Sequence, residues 1–168
     1  MFPFGSRLAP PAELPWPVPP FHGETTSSYL YRLAVANHIH PDDLRAYLVG
    51  TRQHAPITVE HLTAVTGRSR RSLSHALPEL RPDAAPGADS PVPVHVRRTI
   101  CWRCAARRSA FIFAVIWQPA EVTLCPRHLI WLGPPVRAHR GGQYDVHDLP
   151  DIIHAQRRHY RLARRHGR

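Results

Sequence analysis

Three cysteines and one histidine carry the strongest chemical signal in this chain: Cys101 and Cys104 as Cys-Trp-Arg-Cys, then Cys125 and His128 as Cys-Pro-Arg-His. A tetrahedral divalent ion needs four N or S donors converging at roughly 2.0–2.3 Å, and two short pairs drawn together by an intervening segment supply them. The alternative is three small buried thiols beside an unrelated histidine, since free cysteine packs as a hydrophobe and the sequence holds 13 histidines. Four ligands in two knuckles describe a closed site, whereas a catalytic zinc keeps one position for water. The expectation is therefore one structural Zn²⁺. Three thiolates and a neutral imidazole would leave one net negative charge on it. Arg97, Arg98, Arg103, Arg107, Arg108 and Arg127 flank the knuckles in sequence, placed to offset that charge and to favour loading by lowering the thiol pKa values.

Catalytic patterns are otherwise missing from the sequence. It contains no Gly-rich phosphate loop, no His-Glu metalloprotease pattern and no acidic cluster suited to two-metal phosphoryl chemistry. Glu24 stands near histidines, but a lone carboxylate beside a turn serves more often as a cap or ion-pair partner than as a general base. We read the chain as a non-enzyme without a small-molecule substrate.

Charge is the second signal. Lys and Arg together number 22 against 12 Asp and Glu, a formal net charge of +10, and every one of the 22 is arginine. Such a field attracts nucleic acid, anionic protein or an acidic surface, and the guanidinium fork suits phosphate well. The absence of lysine is also what GC-rich coding would produce, so the partner is argued from the charge and not from the lysine deficit. Two segments concentrate the arginines in a form that could read DNA. In one, Arg68, Arg70, Arg71, Ser72 and His75 follow a turn and would face a groove; in the other, Arg157, Arg158, Arg161, Arg164 and Arg165 crowd the end of the chain. The alternatives are a solvated helical hairpin for the first and dipole-compensating charge at a helix C-terminus for the second.

The elements that position these residues follow from local pattern. Residues 1–24 read as a Pro-rich arm. Residues 25–81 read as a helical domain: Tyr29, Leu30, Leu33, Ala34 and Ile39 recur at helical spacing behind Thr26 or Ser27 as N-cap, with an end near His38. Pro41, Asp42 and Asp43 open a second helix through Leu44, Tyr47 and Leu48. Thr58 caps a third through Leu62 and Val65, Gly67 permits a left-handed turn, and Ser69 caps a fourth through Leu73 and Leu77. That is the layout of a helix-turn-helix. Residues 82–98 have linker composition, and residues 99–147 read as a zinc-ribbon-like module. In it 109–117 forms a strand and Val122–Leu124 returns antiparallel to it, with Trp102, Phe111, Phe113, Trp117 and Trp131 packed around the metal. Residues 148–168 read as one basic helix capped by Asp148, with an irregular apolar stripe of Leu149, Ile152, Ile153, Tyr160 and Leu162.

The predicted fold class is thus small α+β: an N-terminal helical bundle with a helix-turn-helix, a zinc-ribbon-like β-hairpin module and a C-terminal basic helix. The chain's 168 residues and 19 prolines leave room for two small cores, the second too small to stand without metal. The N-terminus lacks the apolar core of a signal peptide, and the longest apolar run, Ala110 to Trp117, falls short of a membrane span. Three cysteines cannot all pair within the chain, which together with metal-bound thiolates predicts a reducing, cytoplasmic setting.

The segment Leu14–Ala34, LPWPVPPFHGETTSSYLYRLA, the helical LTAVTG at Leu62–Gly67, and the knuckles CWRC and LCPRH together resemble the TniQ family. The similarity covers about Leu14 to Leu132. It implies a proline-led opening motif, here Gly23, Glu24, Ser28, Tyr29, Arg32, Leu33 and Ala34, with a structural role in which Arg32 and Glu24 tie arm to bundle. It implies Cys101, Cys104, Cys125 and His128 as zinc ligands. It also implies an accessory role in DNA transposition, as a non-catalytic adaptor for target-site selection that contacts DNA, a targeting complex or the AAA+ transposition ATPase. Many relatives carry a further cysteine pair after the Cys/His knuckle. This chain has none after His128, so no second zinc is expected. A stand-alone helix-turn-helix transcriptional regulator with a structural zinc is the other reading, and a homodimer is compatible with both.

Overall fold

In the first half, helix limits follow local capping chemistry. Helix α1 spans Thr26–Ala36, α2 Pro41–Val49, α3 Val59–Thr66 and α4 Arg70–Ala76, followed by a 3₁₀ turn at Pro78–Leu80. Pro41 supplies a preset φ at the start of α2, Asp42 and Asp43 lie in its first turn, and Gly50 ends it. Thr58 and His61 make a reciprocal capping box at α3, each side chain accepting from the other's backbone N–H. Gly67 ends α3 at φ +63°, a left-handed conformation open to glycine without strain. The Ser69 Oγ then accepts from Ser72 N at 3.2 Å to start α4.

The computed structural model describes residues 12–50, 55–81, 95–108, 114–134 and 142–166. These divide into two units: the described residues up to His22 with Thr26 to Arg81, and Gly23–Thr25 with the described residues from His95 onward. The expected arm residues 1–11, linker residues 82–94, and Phe111 and Phe113 lie outside the described residues.

The first unit buries one contiguous apolar cluster. Tyr29 and Leu33 of α1, Leu44 of α2, Leu62 and Val65 of α3, and Leu73 of α4 with Leu77 lose essentially all exposure in it. The Pro-rich segment straps this bundle through backbone groups, the only polar handles proline-rich chain retains in number. Leu14 N donates to Val65 O at 2.8 Å, and Asn37 clasps Trp16 by accepting from its N–H and donating to its carbonyl. The buried Tyr29 hydroxyl donates to Val18 O at 3.0 Å. Arg32 donates to Pro19 O at 2.7 Å while its guanidinium lies 4.5 Å from the Phe21 ring centroid. Thr26, expected as a cap, is instead the first helical residue. Its N–H is taken by the Glu79 carboxylate at 3.0 Å, because the chain after α4 returns an anion to the positive end of α1.

In the second unit, β1 (His95–Thr99) pairs antiparallel with β2 (Val115–Pro119), Arg97 opposite Trp117. The expected linker 82–98 therefore ends in a strand: Val96 and Thr99 favour extended chain, and the ladder with β2 satisfies it. The expected return of Val122–Leu124 onto the 109–117 strand is likewise corrected. β1 takes that place, and Leu124 bridges Trp131 instead. The other edge of β2 receives Gly23–Thr25. Thr25 N donates to Val115 O at 2.9 Å and Trp117 N to Gly23 O at 2.7 Å, with Glu24 bridging Ile116. Gly23 has φ +78°, and a Cβ there would stand 3.0 Å from Trp117 O, so this close crossing requires glycine. The expected arm 1–24 thus divides between the units at Gly23.

Helix α5 (Trp102–Ala106) follows β1, β3 (Ile130–Trp131) pairs with β4 (Tyr144–Asp145), and α6 (Pro150–Arg165) closes the described chain. Asp148 is not the cap of α6. Leu149 holds that position without a side-chain bond, since Pro150, lacking an N–H, begins the helix by itself. The stripe of α6 also differs from expectation: Ile153 and Gln156 are buried while Leu149 and Leu162 stay exposed. Gln156 is accommodated because its Nε2 donates to Glu121 O at 2.8 Å and its Oε1 accepts from Thr123. The fold is small α+β, with a zinc-ribbon-like arrangement in the second unit. No helix among the described residues is long and apolar enough to cross a membrane.

Candidate metal centre

Cys101 leaves β1 and heads α5, and Cys104 lies within that short helix; the helical turn places both sulfurs on one side. The second pair sits in a tight hairpin. Cys125 N donates to Ile130 O at 2.8 Å, Leu129 N to Cys125 O at 2.9 Å and Leu132 N to Thr123 O at 2.8 Å. Closing that turn holds Leu129 at φ +52°, strained for a bulky residue and the sharpest local cost of bringing His128 round.

These elements bring Cys101, Cys104, Cys125 and His128 together, with all four donor atoms within 4.8 Å of one another. The Cys104 and Cys125 sulfurs are 3.8 Å apart. His128 Nδ1 lies 3.5, 3.3 and 3.8 Å from the sulfurs of Cys101, Cys104 and Cys125. A tetrahedron with zinc-type bond lengths has edges of about 3.8 Å between sulfurs and about 3.6 Å between sulfur and nitrogen. The donor set and its spacing fit a metal ion of this kind. Cys101 and Cys125 are buried. Without an ion, burial and the neighbouring sulfurs push the Cys101 thiol up and Cys104 up to about 12, so the thiols hold protons that a metal must displace. Burial, then Arg127, Arg103 and Arg107, hold His128 below the usual imidazole range, in the neutral form that can donate a lone pair to a metal.

The arginines divide their duties differently from expectation. Arg98 also braces the unit: it donates to Leu132 O and Ala120 O, both at 2.9 Å, tying β1 to the second knuckle's hairpin and to the turn before it. Arg97 lies over the Trp117 ring, and Arg103 bonds Asp145 at 2.9 Å beside Trp102. Sequence reasoning missed Gln143. Its Nε2 donates to Ile100 O at 2.8 Å and Thr99 O at 3.3 Å, while its Oε1 accepts from Trp102 N at 3.0 Å. One amide thereby fixes the backbone on both sides of Cys101. No spacing signal marks it, since it lies 41 residues beyond Trp102.

The candidate DNA-reading residues fall into one group in each unit. Arg68 donates to Pro17 O at 3.4 Å and is partly buried, so it braces the arm and is not presented outward. Arg70 is exposed and ion-paired with Glu60; Arg71, Ser72 and His75 are exposed, with His75 stacked 5.0 Å from the His22 ring. Arg157, Arg158, Arg161, Arg164 and Arg165 are all exposed on α6. Of the opening motif, Gly23 and Glu24 belong to the strand beside β2. Tyr29, Arg32, Leu33 and Ala34 are buried in α1, and Ser28 is partly buried there.

The sequence model of the TniQ family matches residues 15–132, a span that runs through both units and includes all four candidate ligands. No curated protein and no solved structure matches the chain.

Proposed function

Because this chain belongs to the TniQ family, we propose that it is a non-catalytic accessory protein of DNA transposition. It acts as an adaptor in target-site selection, contacting DNA, the AAA+ transposition ATPase or a targeting complex, or DNA and one of these together. The family match over residues 15–132 is the observation that carries this reading. The metal of the second unit is one Zn²⁺ held by Cys101, Cys104, Cys125 and His128, with a structural role. Four protein donors at tetrahedral spacing support that role, since they saturate the ion and leave no site for an activated water. Exposed arginines around α4 and on α6, in a chain of net charge +10, supply the attraction to DNA. The layout of α3, the turn at 67–69 and α4 favours a second reading as a free-standing transcriptional regulator.

Affinity capture by the tagged, zinc-loaded chain from cells of its native host separates the two. The adaptor reading predicts stoichiometric recovery of the AAA+ ATPase. Duplex binding at a promoter with no ATPase recovered contradicts it and supports the regulator.

A further inference from the structure

We propose that α6 is the principal nucleic-acid-binding surface of this protein, its five arginines forming one phosphate-tracking stripe against the backbone of duplex DNA. The proposal deepens the DNA contact of the adaptor reading and rests on it.

Four observations carry it. First, at 3.6 residues per turn, Arg157, Arg158, Arg161, Arg164 and Arg165 fall within an arc of about 120° and over a rise of about 12 Å. His154 falls on the same arc. Second, the arc lies away from the anchoring side: Ile153 and Gln156 are buried, and Tyr160 and Ala163, next along that side, are partly buried. The first turns of α6 thus hold it to the unit, while every residue from Arg157 to Arg165 outside that seam is exposed. Third, the stripe is uncompensated. The one acid of α6 is Asp151 in its first turn, and among the described residues none of the five arginines forms an ion pair. Arg164 and Arg165 in the last turn complement the helix dipole, but Arg157, Arg158 and Arg161 lie before it, and arginines at i, i+3 and i, i+4 repel one another; a line of phosphates relieves that repulsion for all five. Fourth, the side chains frame two shallow hollows, one lined by Arg158, Arg161, Leu162, Arg164 and Arg165, the other by His154, Arg157, Tyr160 and Arg161. Phosphate oxygens set there would meet guanidinium groups on both sides.

The α3–α4 hairpin lacks these properties. Arg68 is committed to Pro17 O and Arg70 to Glu60, which leaves Arg71 as the outward cation of that turn. A membrane surface is disfavoured by the arginine half of α6, where Leu162 is the one exposed large apolar side chain and no Trp or Phe accompanies it.

The test titrates full-length, zinc-loaded protein against a labelled duplex over a range of NaCl. Five phosphate contacts predict a log–log salt slope of about −4.5, an affinity loss of about 500-fold between about 50 and 200 mM salt. The triple variant Arg157→Gln, Arg161→Gln, Arg164→Gln should flatten the slope by about 2.7 and weaken binding at least tenfold, with helical content and metal stoichiometry retained. The same positions changed to Lys should keep the slope, which guards against a folding artefact. Arg70→Gln with Arg71→Gln should cost several-fold less than the triple variant. The proposal is overturned if the triple variant binds as wild type, or if the Arg70, Arg71 pair costs more. It is equally overturned if polyglutamate or anionic vesicles displace the protein as well as unlabelled duplex does at equal charge. Loss of duplex binding by the triple variant with the ATPase still captured supports the stripe and keeps the adaptor reading. Wild-type capture of the ATPase without duplex affinity sinks the stripe alone.

Discussion

The two units reach stability by different physical routes. The first buries a contiguous apolar cluster from Tyr29 to Leu77, sealed by capped helices and a proline strap. In the second, the cluster at the centre is Cys101, Cys125, Ile130 and Leu132 with Cys104 against it, so its ligand thiols are a large part of its apolar interior. Strands of two to five residues and a five-residue helix bury little surface of their own, and Leu124 and Val146 with Ile153 of α6 add only a second small cluster, so this unit is the one expected to need the ion. One chain of 168 residues thus pairs a bundle built on a contiguous apolar core with a module built around four side chains that could hold a metal ion.

The contrast breaks most visibly at the metal. Cys104→Ser would remove one of the four candidate donors for an ion whose binding, in small zinc modules, is worth on the order of 10 kcal/mol. Residues from about 95 onward should lose amide protection while the helices of the first unit keep theirs, as read by hydrogen exchange. Metal affinity should also fall as pH falls, because the thiols bind protons in competition with the ion. Leu62→Ala is the reciprocal experiment: emptying a fully buried site in the first unit should cost about 2–5 kcal/mol. Urea unfolding should then separate into two transitions with zinc stoichiometry unchanged.

Smaller perturbations sharpen the comparison. Gln143→Ala leaves all four ligands in place but frees the backbone around Cys101, and should weaken zinc binding about 10–100-fold in a competition titration with a chromogenic chelator. Gly67→Ala forces a side chain into φ +63°, costing about 1–2 kcal/mol in the first unit. Its new Cβ would meet the end of Glu13, a flexible side chain that can swing away, so backbone strain should dominate. Thermal unfolding of the first unit, followed with zinc content as control, measures this directly.

What could be read from the sequence was what is local. The starts of α2, α3 and α4 are written in Pro41, Thr58 and Ser69, because a cap satisfies amides two or three residues away. The grouping of the four candidate ligands was legible for the same reason, each pair spanning a single turn. Long-range partners were not: β1 emerges from a proline-rich stretch and is a strand because β2 pairs with it. Arg98 resembles its neighbours in sequence, yet it is a brace because two carbonyls converge on it from Ala120 and Leu132. Arg68 shows the same limit, belonging by sequence to a DNA-facing turn and by structure to the arm through Pro17. Gln156 was passed over because an amide interrupts an apolar stripe, and only Glu121 and Thr123 make its burial tolerable.

The most direct test of the account is elemental analysis of chelator-free protein, paired with hydrogen exchange before and after metal removal. The account predicts one zinc per chain and, on its removal, loss of protection confined to the second unit while the bundle from Tyr29 to Leu77 stays protected. Protein that carries no stoichiometric metal and still protects the hairpins bearing Cys101, Cys104, Cys125 and His128 would contradict it.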